Sequence, residues 1–530
     1  MIGEQQAHND TDISEANDVV SINLIRKQEA VVKDDFHPSF TYQIFGDEEK
    51  IVGYNEPAIL IRFRAHDLKP HVEISYKQKI KPDTEDVAKL MDIKGQLEPF
   101  LPADSISGKP FTEASASASW TPPGEVKHSY TVNGTRYEIW CASLLDPQAK
   151  EILSNMRIFI PFYIEGGTCT FLDDPDWSLE RWKLWLVYEV ASEDIPDSPP
   201  YVFTGFATSY RIWTGPSEAI VSTLTHREPP TYTIEPDRIP EADQKETLPS
   251  SRVTKERFTP DNANTYDPIF SPPSRERISQ FIILPPWQGQ SHGANLYNTM
   301  TDFFLHDPSV FEITVEDPNE VFDDLRYHCD LVRLYRDPDF TSLRLPDTLP
   351  ADALKPDTPV PTSSLLVSTN PLQKLRHKYK LVPRQFATLV ELHLLSTIPL
   401  RHRSVTRIIR KERSAEKYDR QYYFWRLLVK ERVYKRNRDQ LVQLDEDERI
   451  EKLEATLPGL QSEYERILEE FGRIARKVGL KSVGGGVAVN GNGEGVEVRS
   501  SDGKRKRKVI VEDEEDEDED ERTDAKKKKV

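Results

Sequence analysis

Apolar and polar residues alternate in short runs over the first part of the chain, which predicts β-strands. Such runs occupy 58–64 and 71–76. Stronger apolar and aromatic runs, typical of central strands of one sheet, follow at 137–140, 158–165, 182–189 and 201–210. A helix is predicted at 147–155, because Pro147 lies in its first turn, where a missing N–H costs nothing.

The pattern changes in the second half of the chain. A strand at 279–284, a turn, a helix at 294–305 and a strand at 312–316 form a β–loop–α–β unit. Apolar residues then recur at helical spacing over 385–396, 418–444 and 460–478. The last helix carries an apolar stripe expected to pack within its own bundle, formed by Leu460, Tyr464, Ile467, Leu468, Phe471 and Ile474.

These elements predict an α+β fold with distinct regions. We expect a β-rich N-terminal domain at 21–135, a central mixed sheet flanked by helices at 136–345, and a C-terminal helical domain at 346–480. Residues 1–20 are polar and predicted to be disordered, and 105–119 reads as a loop. A Pro-, Ser- and Thr-rich stretch at 215–275 is predicted to be a mobile insertion. The tail at 481–530 is predicted to be disordered, with a basic run at 504–508 and an acidic run at 512–521.

Charge and cysteine usage narrow the classes of function. The 530 residues carry a net charge of −19, which argues against direct DNA binding and suits a basic partner. A soluble acidic protein without a charged partner fits equally well. Cys141, Cys169 and Cys329 are scattered, so neither a metal site nor a disulfide framework is indicated. The polar N-terminus and the lack of an apolar run of roughly 18–20 residues predict a protein that is intracellular and not membrane-bound.

Candidate chemistry lies in the β–loop–α–β unit. Between its first strand and helix stands Gln288-Gly-Gln-Ser-His-Gly-Ala, a loop whose glycines and following helix N-terminus could hold a pyrophosphate. Without GxGxxG or Gly-Lys-Ser/Thr spacing, the pattern alone is more typical of an ordinary glycine turn. The next strand ends in Glu316-Asp-Pro-Asn, which is either a pair of site carboxylates or a solvated turn.

Five segments between about residue 20 and about residue 480 are more specific. They are Phe40-Thr-Tyr-Gln-Ile-Phe-Gly-Asp-Glu-Glu, Phe162-Tyr-Ile-Glu-Gly-Gly, Leu179-Glu-Arg-Trp, Arg277-Ile-Ser-Gln-Phe-Ile-Ile-Leu-Pro-Pro-Trp-Gln and Glu312-Ile-Thr-Val-Glu-Asp-Pro-Asn-Glu-Val-Phe-Asp-Asp-Leu-Arg. In this order they resemble the catalytic subunits of type B histone acetyltransferases, in particular the fungal ones, which belong to the GNAT N-acetyltransferase superfamily.

The resemblance implies an activity and a setting. An enzyme of this kind would transfer acetyl from acetyl-CoA, without a metal, to lysines in the N-terminal tail of free, newly made core histone four. Implied partners are that histone with core histone three, and a WD-repeat histone-binding subunit. The implied setting is nucleus and cytoplasm, in support of histone deposition, chromatin assembly, DNA repair and telomeric silencing.

The resemblance also implies the site residues. Glu316 matches the general base, and Asp317 and Glu165 match carboxylates that assist it. The positions matching acetyl-CoA contacts are Phe281, Ile282, Ile283, Gln288, Gly289, Gln290, Ser291, His292, Gly293, Ala294 and Asn319. The positions matching histone-tail contacts are Asp47, Glu48, Glu49, Tyr210, Arg211 and Ile212.

The chain departs from the family pattern in two places. Ser291 stands where the loop normally has its first glycine, which narrows the backbone freedom there. Tyr327-His328 replaces a more charged stretch, which puts a basic contact to the cofactor's phosphate in doubt.

The implied chemistry is direct attack of a lysine on the thioester. A free lysine has a pKa near ~10.4, so its ammonium must first lose a proton. A carboxylate partly buried beside apolar strands can accept that proton, and backbone N–H groups can stabilise the thioester oxygen.

Two other classes of function compete with this one. The acidic run at 512–521 would suit a non-enzymatic histone chaperone, although it is equally a solvated tail. The basic run at 504–508 is either a nuclear import signal or a counterweight to the acidic run. A nucleotide-binding oxidoreductase is disfavoured by the glycine spacing.

Overall fold

The computed structural model describes residues 13–82, 84–106, 119–191, 198–214, 273–349, 366–367, 369–408 and 416–480. Predictions for 1–12, 107–118, 215–272 and 481–530 lie outside these residues. Within them helices and strands are both abundant, so the α+β prediction is confirmed at that level. In the described ranges, no helix combines the length and apolarity needed to cross a membrane.

The N-terminal part of the chain consists of short strands and short helices. The strands are β1 Ile13–Glu15, β2 Val20–Arg26, β3 Glu29–Ala30, β4 Lys50–Val52, β5 Tyr54–Asn55, β6 Ala58–Arg64, β7 Pro70–Ser75 and β8 Gln78–Lys79, and the helices are α1 Ala16–Val19, α2 Tyr42–Phe45, α3 Glu85–Leu90 and α4 Ile93–Leu97. Four of the strands form a small sheet of order β3-β2-β6-β7, in which β2 and β6 are parallel.

The predicted disorder of residues 1–20 is wrong from residue 13 onward. Strand β1 pairs with β4, and helix α1 follows it directly. The side chains of Ala16 and Val20 are fully buried in the hydrophobic core. Burial of a few apolar residues between polar ones therefore outweighs the polar composition of the segment.

A six-stranded sheet of order β14-β13-β12-β11-β10-β9 forms the centre of the fold. Its strands are β9 Glu125–Val132, β10 Thr135–Ser143, β11 Trp182–Val190, β12 Tyr201–Trp213, β13 Ser274–Ile283 and β14 Val310–Val315. Because β9 pairs with β10 as a hairpin, this sheet starts at Glu125, ahead of the boundary expected at 136. Thr214 and Pro273, the described residues on either side of 215–272, are hydrogen-bonded to each other, with the Thr214 N–H donating to the Pro273 carbonyl at 2.9 Å.

The strand predicted at 158–165 is wrong, because the structure has helix α6, Phe159–Tyr163, in that place. Phe159, Ile160 and Phe162 are fully buried, and a short, uniformly apolar run does not distinguish a buried strand from a buried helix. Pro161 decides between them, since its missing N–H is tolerated in the first helical turn but would remove a ladder bond from a central strand.

The remaining helices flank the sheet or form a second core. They are α5 Pro147–Met156, α7 Asp176–Leu179, α8 His292–His306, α9 Glu320–Leu334, α10 Pro338–Thr341, α11 Thr369–Lys378, α12 Pro383–Ser396, α13 Lys417–Arg436, α14 Arg438–Leu441 and α15 Glu446–Lys477. The second core begins at Leu331 within α9 and takes in Tyr464, Ile467 and Phe471, which confirms that the apolar stripe packs within its own bundle. The helix predicted at 418–444 is interrupted at Asn437.

His393 is a buried titratable group of the second core. Its ring nitrogens lie 3.0 Å from the Tyr335 hydroxyl and 3.1 Å from the Leu343 carbonyl oxygen. Burial lowers the pKa of His393 to about 4, so the folded protein holds this imidazole neutral at physiological pH.

The buried imidazole gives a testable pH dependence. An unfolded histidine has a pKa near ~6.5 and binds a proton that the folded state refuses, so stability is lost as pH falls from about 6.5 toward the folded value. Between pH 7 and pH 5, the free energy of unfolding of His393→Gln should fall by about 2 kcal/mol less than that of the wild-type protein. Urea unfolding followed by tryptophan fluorescence at both pH values measures this. An unchanged pH dependence in the variant would contradict the prediction.

Candidate active site

The central sheet opens between β13 and β14. The two strands are parallel and paired from Ser274 with Val310 to Ile278 with Val315, and the Glu316 N–H donates to the Ile278 carbonyl at 2.9 Å. Strand β13 continues to Ile283, paired with β12 on its other side. A strand edge is therefore left beyond Ile278, beside the point where the chain of β14 turns away.

The loop after β13 leads into helix α8 through a fixed set of turns. Gly289 and Ser291 have φ values of 71° and 70°, both in the left-handed region, and the helix begins at His292. The Gln288 side-chain amide donates to the Ile283 carbonyl at 2.8 Å, and the Gln290 amide to the Pro286 carbonyl at 3.1 Å. Both glutamines thus brace the loop against itself.

The start of α8 lies beside the part of β13 that continues past Ile278 to Ile283, called here the β13 extension. A Cβ added at Gly293 would come within 3.8 Å of the Phe281 ring, and that ring in turn packs against Phe322 with centroids 4.7 Å apart. A helix N-terminus carries partial positive charge and unpaired N–H groups, which together suit a phosphate. Residues 288–294 therefore fit the pyrophosphate of a nucleotide-bearing substrate.

Ser291 occupies a left-handed position at the N-cap of α8, and its side chain makes no capping hydrogen bond. Left-handed backbone costs a residue with a Cβ about 1–2 kcal/mol, which explains why glycine suits this place. The serine takes up the same conformation at that cost, so the loop keeps its turn.

Three carboxylates were predicted to carry catalysis. Glu316 is exposed, and its Oε2 accepts a hydrogen bond from the Ser279 hydroxyl at 2.6 Å. Asp317 is also exposed and has a φ of 34°, and Glu165 is exposed in the loop after α6. The partly buried base expected from the sequence is not what the structure has, because Glu316 lies past the end of β14.

Two hydrogen bonds draw the Glu165 loop toward the open edge. The Gln280 side-chain amide on β13 donates to the Thr168 carbonyl at 3.0 Å. On the other side, the Gly166 N–H donates to the Tyr42 hydroxyl at 2.6 Å, which ties the loop to α2. The turn that holds Asp47 follows α2 directly, so α2 connects this turn with the Glu165 loop.

The predicted histone-tail residues divide into exposed and structural ones. Asp47 and Glu48 are exposed. Glu49, in contrast, accepts hydrogen bonds at Oε1 from the N–H groups of Thr41 at 2.6 Å and Tyr42 at 3.2 Å, so it holds the start of α2.

Tyr210, Arg211 and Ile212 lie toward the end of β12 and are partly buried. Arg211 is bound by Glu276 and Asp307, with its nitrogens 2.7 Å and 2.5 Å from their oxygens, so its guanidinium is part of an ion network. Tyr210 packs on Trp182, with ring centroids 4.5 Å apart. Of the three, Tyr210 is the one whose contacts suit recognition of a chain.

Several residues beside the site were not singled out from the sequence. Phe171 stacks on Trp182 at 3.7 Å and 6°, which extends the aromatic layer that includes Tyr210. The segments Leu179-Glu-Arg-Trp and Arg277-Ile-Ser-Gln-Phe-Ile-Ile-Leu-Pro-Pro-Trp-Gln contain Trp182, Ser279 and Gln280 without assigning them a role, and no pattern marked Phe171.

Two predicted cofactor contacts have structural roles as well. Asn319 caps α9 by accepting from the Phe322 N–H at 2.9 Å. The His292 side chain is buried and hydrogen-bonded to Tyr130, so a ligand would meet its backbone. Over the described part of the chain, no cluster of three or more His, Cys, Asp or Glu residues could hold a metal ion.

Comparison with known proteins places the chain in a family. Residues 13–165 match the family model described as "Histone acetyl transferase HAT1 N-terminus". The histone acetyltransferase type B catalytic subunit of Aspergillus fumigatus is 38% identical over 487 residues, which cover 88% of this chain and 79% of that protein. The subunits of Aspergillus oryzae and Schizosaccharomyces pombe are 37% and 29% identical, each over 86% of this chain and over 86% and 92% of their own lengths.

The chain belongs to the family of histone acetyltransferase type B catalytic subunits. It is accordingly an acetyltransferase enzyme, and this class of enzyme implies acetyl-CoA as co-substrate. Sequence similarity extends through the open edge of the sheet, the loop and the C-terminal helices, since it covers most of the chain.

Stability measurements test whether Glu49 has a structural role that its exposed neighbour Glu48 lacks. Glu49→Ala removes the acceptor of two backbone N–H groups and should cost about 1 kcal/mol, the usual value of a lost cap. Glu48→Ala should change stability by less than about 0.5 kcal/mol, because this side chain is exposed and pairs with Lys50 only at the surface. Urea denaturation of both variants makes the comparison, and equal losses would show that Glu49 has no special structural role.

Proposed function

We propose that this enzyme transfers acetyl from acetyl-CoA directly to a lysine in the N-terminal tail of free, newly made core histone four, with Glu316 as general base. The observation that carries the proposal is the position of Glu316. Its carboxylate follows the last paired residue of β14, where β13 continues alone toward the loop and the start of α8. The proposed base thus lies at one end of the strand edge, and the loop that leads to the start of α8 lies at the other end.

The proposed binding mode of acetyl-CoA uses that strand edge. The amide-rich pantetheine arm is suited to hydrogen bonding along the extension of β13 at Phe281, Ile282 and Ile283, as an added strand would be. The pyrophosphate would take the N–H groups from Gly289 to Ala294 at the start of α8. Such a splayed strand and helix support the GNAT-type assignment.

The chemical step balances without an enzyme-bound acetyl group. The lysine ammonium gives a proton to Glu316, directly or through a water, and the free amine attacks the thioester carbonyl carbon. A C–N bond forms and the C–S bond breaks, so CoA leaves as a thiolate that takes up a proton. Backbone N–H groups of the β13 extension are the proposed donors to the carbonyl oxygen as it gains charge.

The histone tail is the proposed acceptor because the surroundings of the site are acidic and aromatic. Asp47, Glu48 and Glu165 are exposed, and the net charge of −19 steers a basic segment toward the protein. Tyr210 is partly exposed beside the buried Trp182, and its ring offers an aromatic surface on which a lysine stem can pack. Asp317 and Glu165 would assist the base by adding negative charge near the ammonium.

Family membership supports the wider setting of the proposal. We propose that the enzyme works with a WD-repeat histone-binding subunit on core histone four paired with core histone three, before deposition into chromatin. The proposed locations are nucleus and cytoplasm, with consequences for DNA repair and telomeric silencing. The activity of the class sets aside a purely non-enzymatic chaperone.

Replacement of the proposed base tests the mechanism. Glu316→Gln should lower kcat by at least about 100-fold and leave both KM values within about threefold, since general base catalysis is typically worth 10²–10⁴ in rate. Initial rates with acetyl-CoA and a histone-tail peptide, measured from pH 6.5 to 9.5, provide the readout. Glu451→Gln, which changes an exposed glutamate on α15, is the matched control. A normal rate for Glu316→Gln across this pH range would refute the mechanism.

Charge neutralisation at the N-terminal domain tests tail recognition. We expect the double variant Asp47→Asn, Glu48→Gln to raise KM for the tail peptide several-fold, with kcat and KM for acetyl-CoA unchanged. The difference in this KM between variant and wild type should shrink as the salt concentration is raised, because salt screens exposed charges. Asp447→Asn with Glu451→Gln makes the same charge change on α15 as a control. Identical KM values at low salt would show that the two carboxylates do not contact the tail.

A further inference from the structure

A group of side chains on β9, β10 and β11 contacts both ends of the loop before α8. Glu189 on β11 is the acceptor at one end of the loop. Its Oε2 takes hydrogen bonds from the Trp287 indole N–H at 3.3 Å and from the Tyr137 hydroxyl at 3.3 Å. Tyr137 and Glu189 are directly opposite each other in the β10–β11 register, so the sheet itself aligns them.

The other end of the loop is held by Tyr130 on β9. Its hydroxyl lies 2.8 Å from Nδ1 of His292, the first residue of α8. The His292 side chain is only 1% exposed, and its ring packs against that of Tyr137 with centroids 4.4 Å apart. One set of neighbouring side chains therefore contacts both Trp287 and His292, the residues that bracket the loop.

Burial keeps both partners of the Tyr130–His292 hydrogen bond uncharged. Burial raises the pKa of the Tyr130 hydroxyl and lowers the pKa of His292 to about 4. Both partners are therefore neutral at physiological pH, and Nε2 of the imidazole is buried without a hydrogen-bond partner among the described residues. A buried ring nitrogen without a partner costs stability, so the hydrogen bond between Nδ1 and the Tyr130 hydroxyl is the polar contact that holds this side chain.

We propose that Tyr130, Tyr137 and Glu189, through Trp287 and His292, act as a clamp that positions the loop for the pyrophosphate of acetyl-CoA. These are positioning residues, and the inference rests on the proposed binding of that group at the start of α8. Gly289 and Ser291 both need left-handed backbone, a conformation that persists only where the surroundings enforce it. A loop held in shape before binding loses less entropy when the substrate arrives.

Two acetyl donors separate this role from general support of the fold. Acetyl-CoA carries the pyrophosphate, whereas S-acetylpantetheine has the same thioester and pantetheine arm without it. We expect Tyr130→Phe and Glu189→Ala each to raise KM for acetyl-CoA by about fivefold or more, because each removes at least one hydrogen bond of the clamp, with kcat within about twofold. The kcat/KM for S-acetylpantetheine should stay at the wild-type value.

The control variant is Tyr335→Phe, which removes the hydroxyl of a partly buried tyrosine packed against the second core, 3.0 Å from Ser396 Oγ and 3.0 Å from His393 Nδ1. It should leave kcat/KM for both donors unchanged. Equal losses with the two donors in Tyr130→Phe or Glu189→Ala, or no loss with either donor, would overturn the clamp. A wild-type enzyme that uses the two donors equally well would refute the pyrophosphate site itself, and the clamp with it.

Discussion

A β-strand has two edges, and the fold depends on how those of β13 are used. One edge pairs with β12 over most of the strand, while the other pairs with β14 only as far as Ile278. The separation is fixed by the chain after β14, where Asp317 takes a positive φ and Pro318 has no N–H with which to extend a ladder. Unpaired backbone in such a place is a liability unless a ligand completes it, and the groups proposed for acetyl transfer surround it.

The acidic residues near this edge divide their work between structure and recognition. Glu49 and Glu276 have carboxylates engaged by backbone N–H groups or cations of the protein, whereas Asp47, Glu48 and Glu316 present theirs toward solvent. Only the exposed carboxylates, those of Asp47, Glu48 and Glu316, can bind a substrate without disturbing the fold. A chain with a strongly negative balance thus uses part of its charge for its own architecture.

Much of the fold could be predicted because strand and helix periodicities were clear, as at 182–189 and 147–155. Local pattern failed where tertiary packing decided, as in the buried helix around Pro161 and the ordered segment that contains Ala16. Family resemblance pointed to the open edge, but three adjacent carboxylates look alike in sequence. Which of them turns inward to hold α2 depends on the position of Thr41, which only the folded chain defines.

The junction at Thr214 and Pro273 has a consequence for how this enzyme can vary. Strands β12 and β13 are held side by side by their own ladder and by the Thr214 hydrogen bond, whatever length of chain connects them. The entropy of closing a flexible connection grows by only about 0.6 kcal/mol for each doubling of its length. A longer or shorter stretch of sequence between these points would therefore cost little, and β13 would keep its register beside β12.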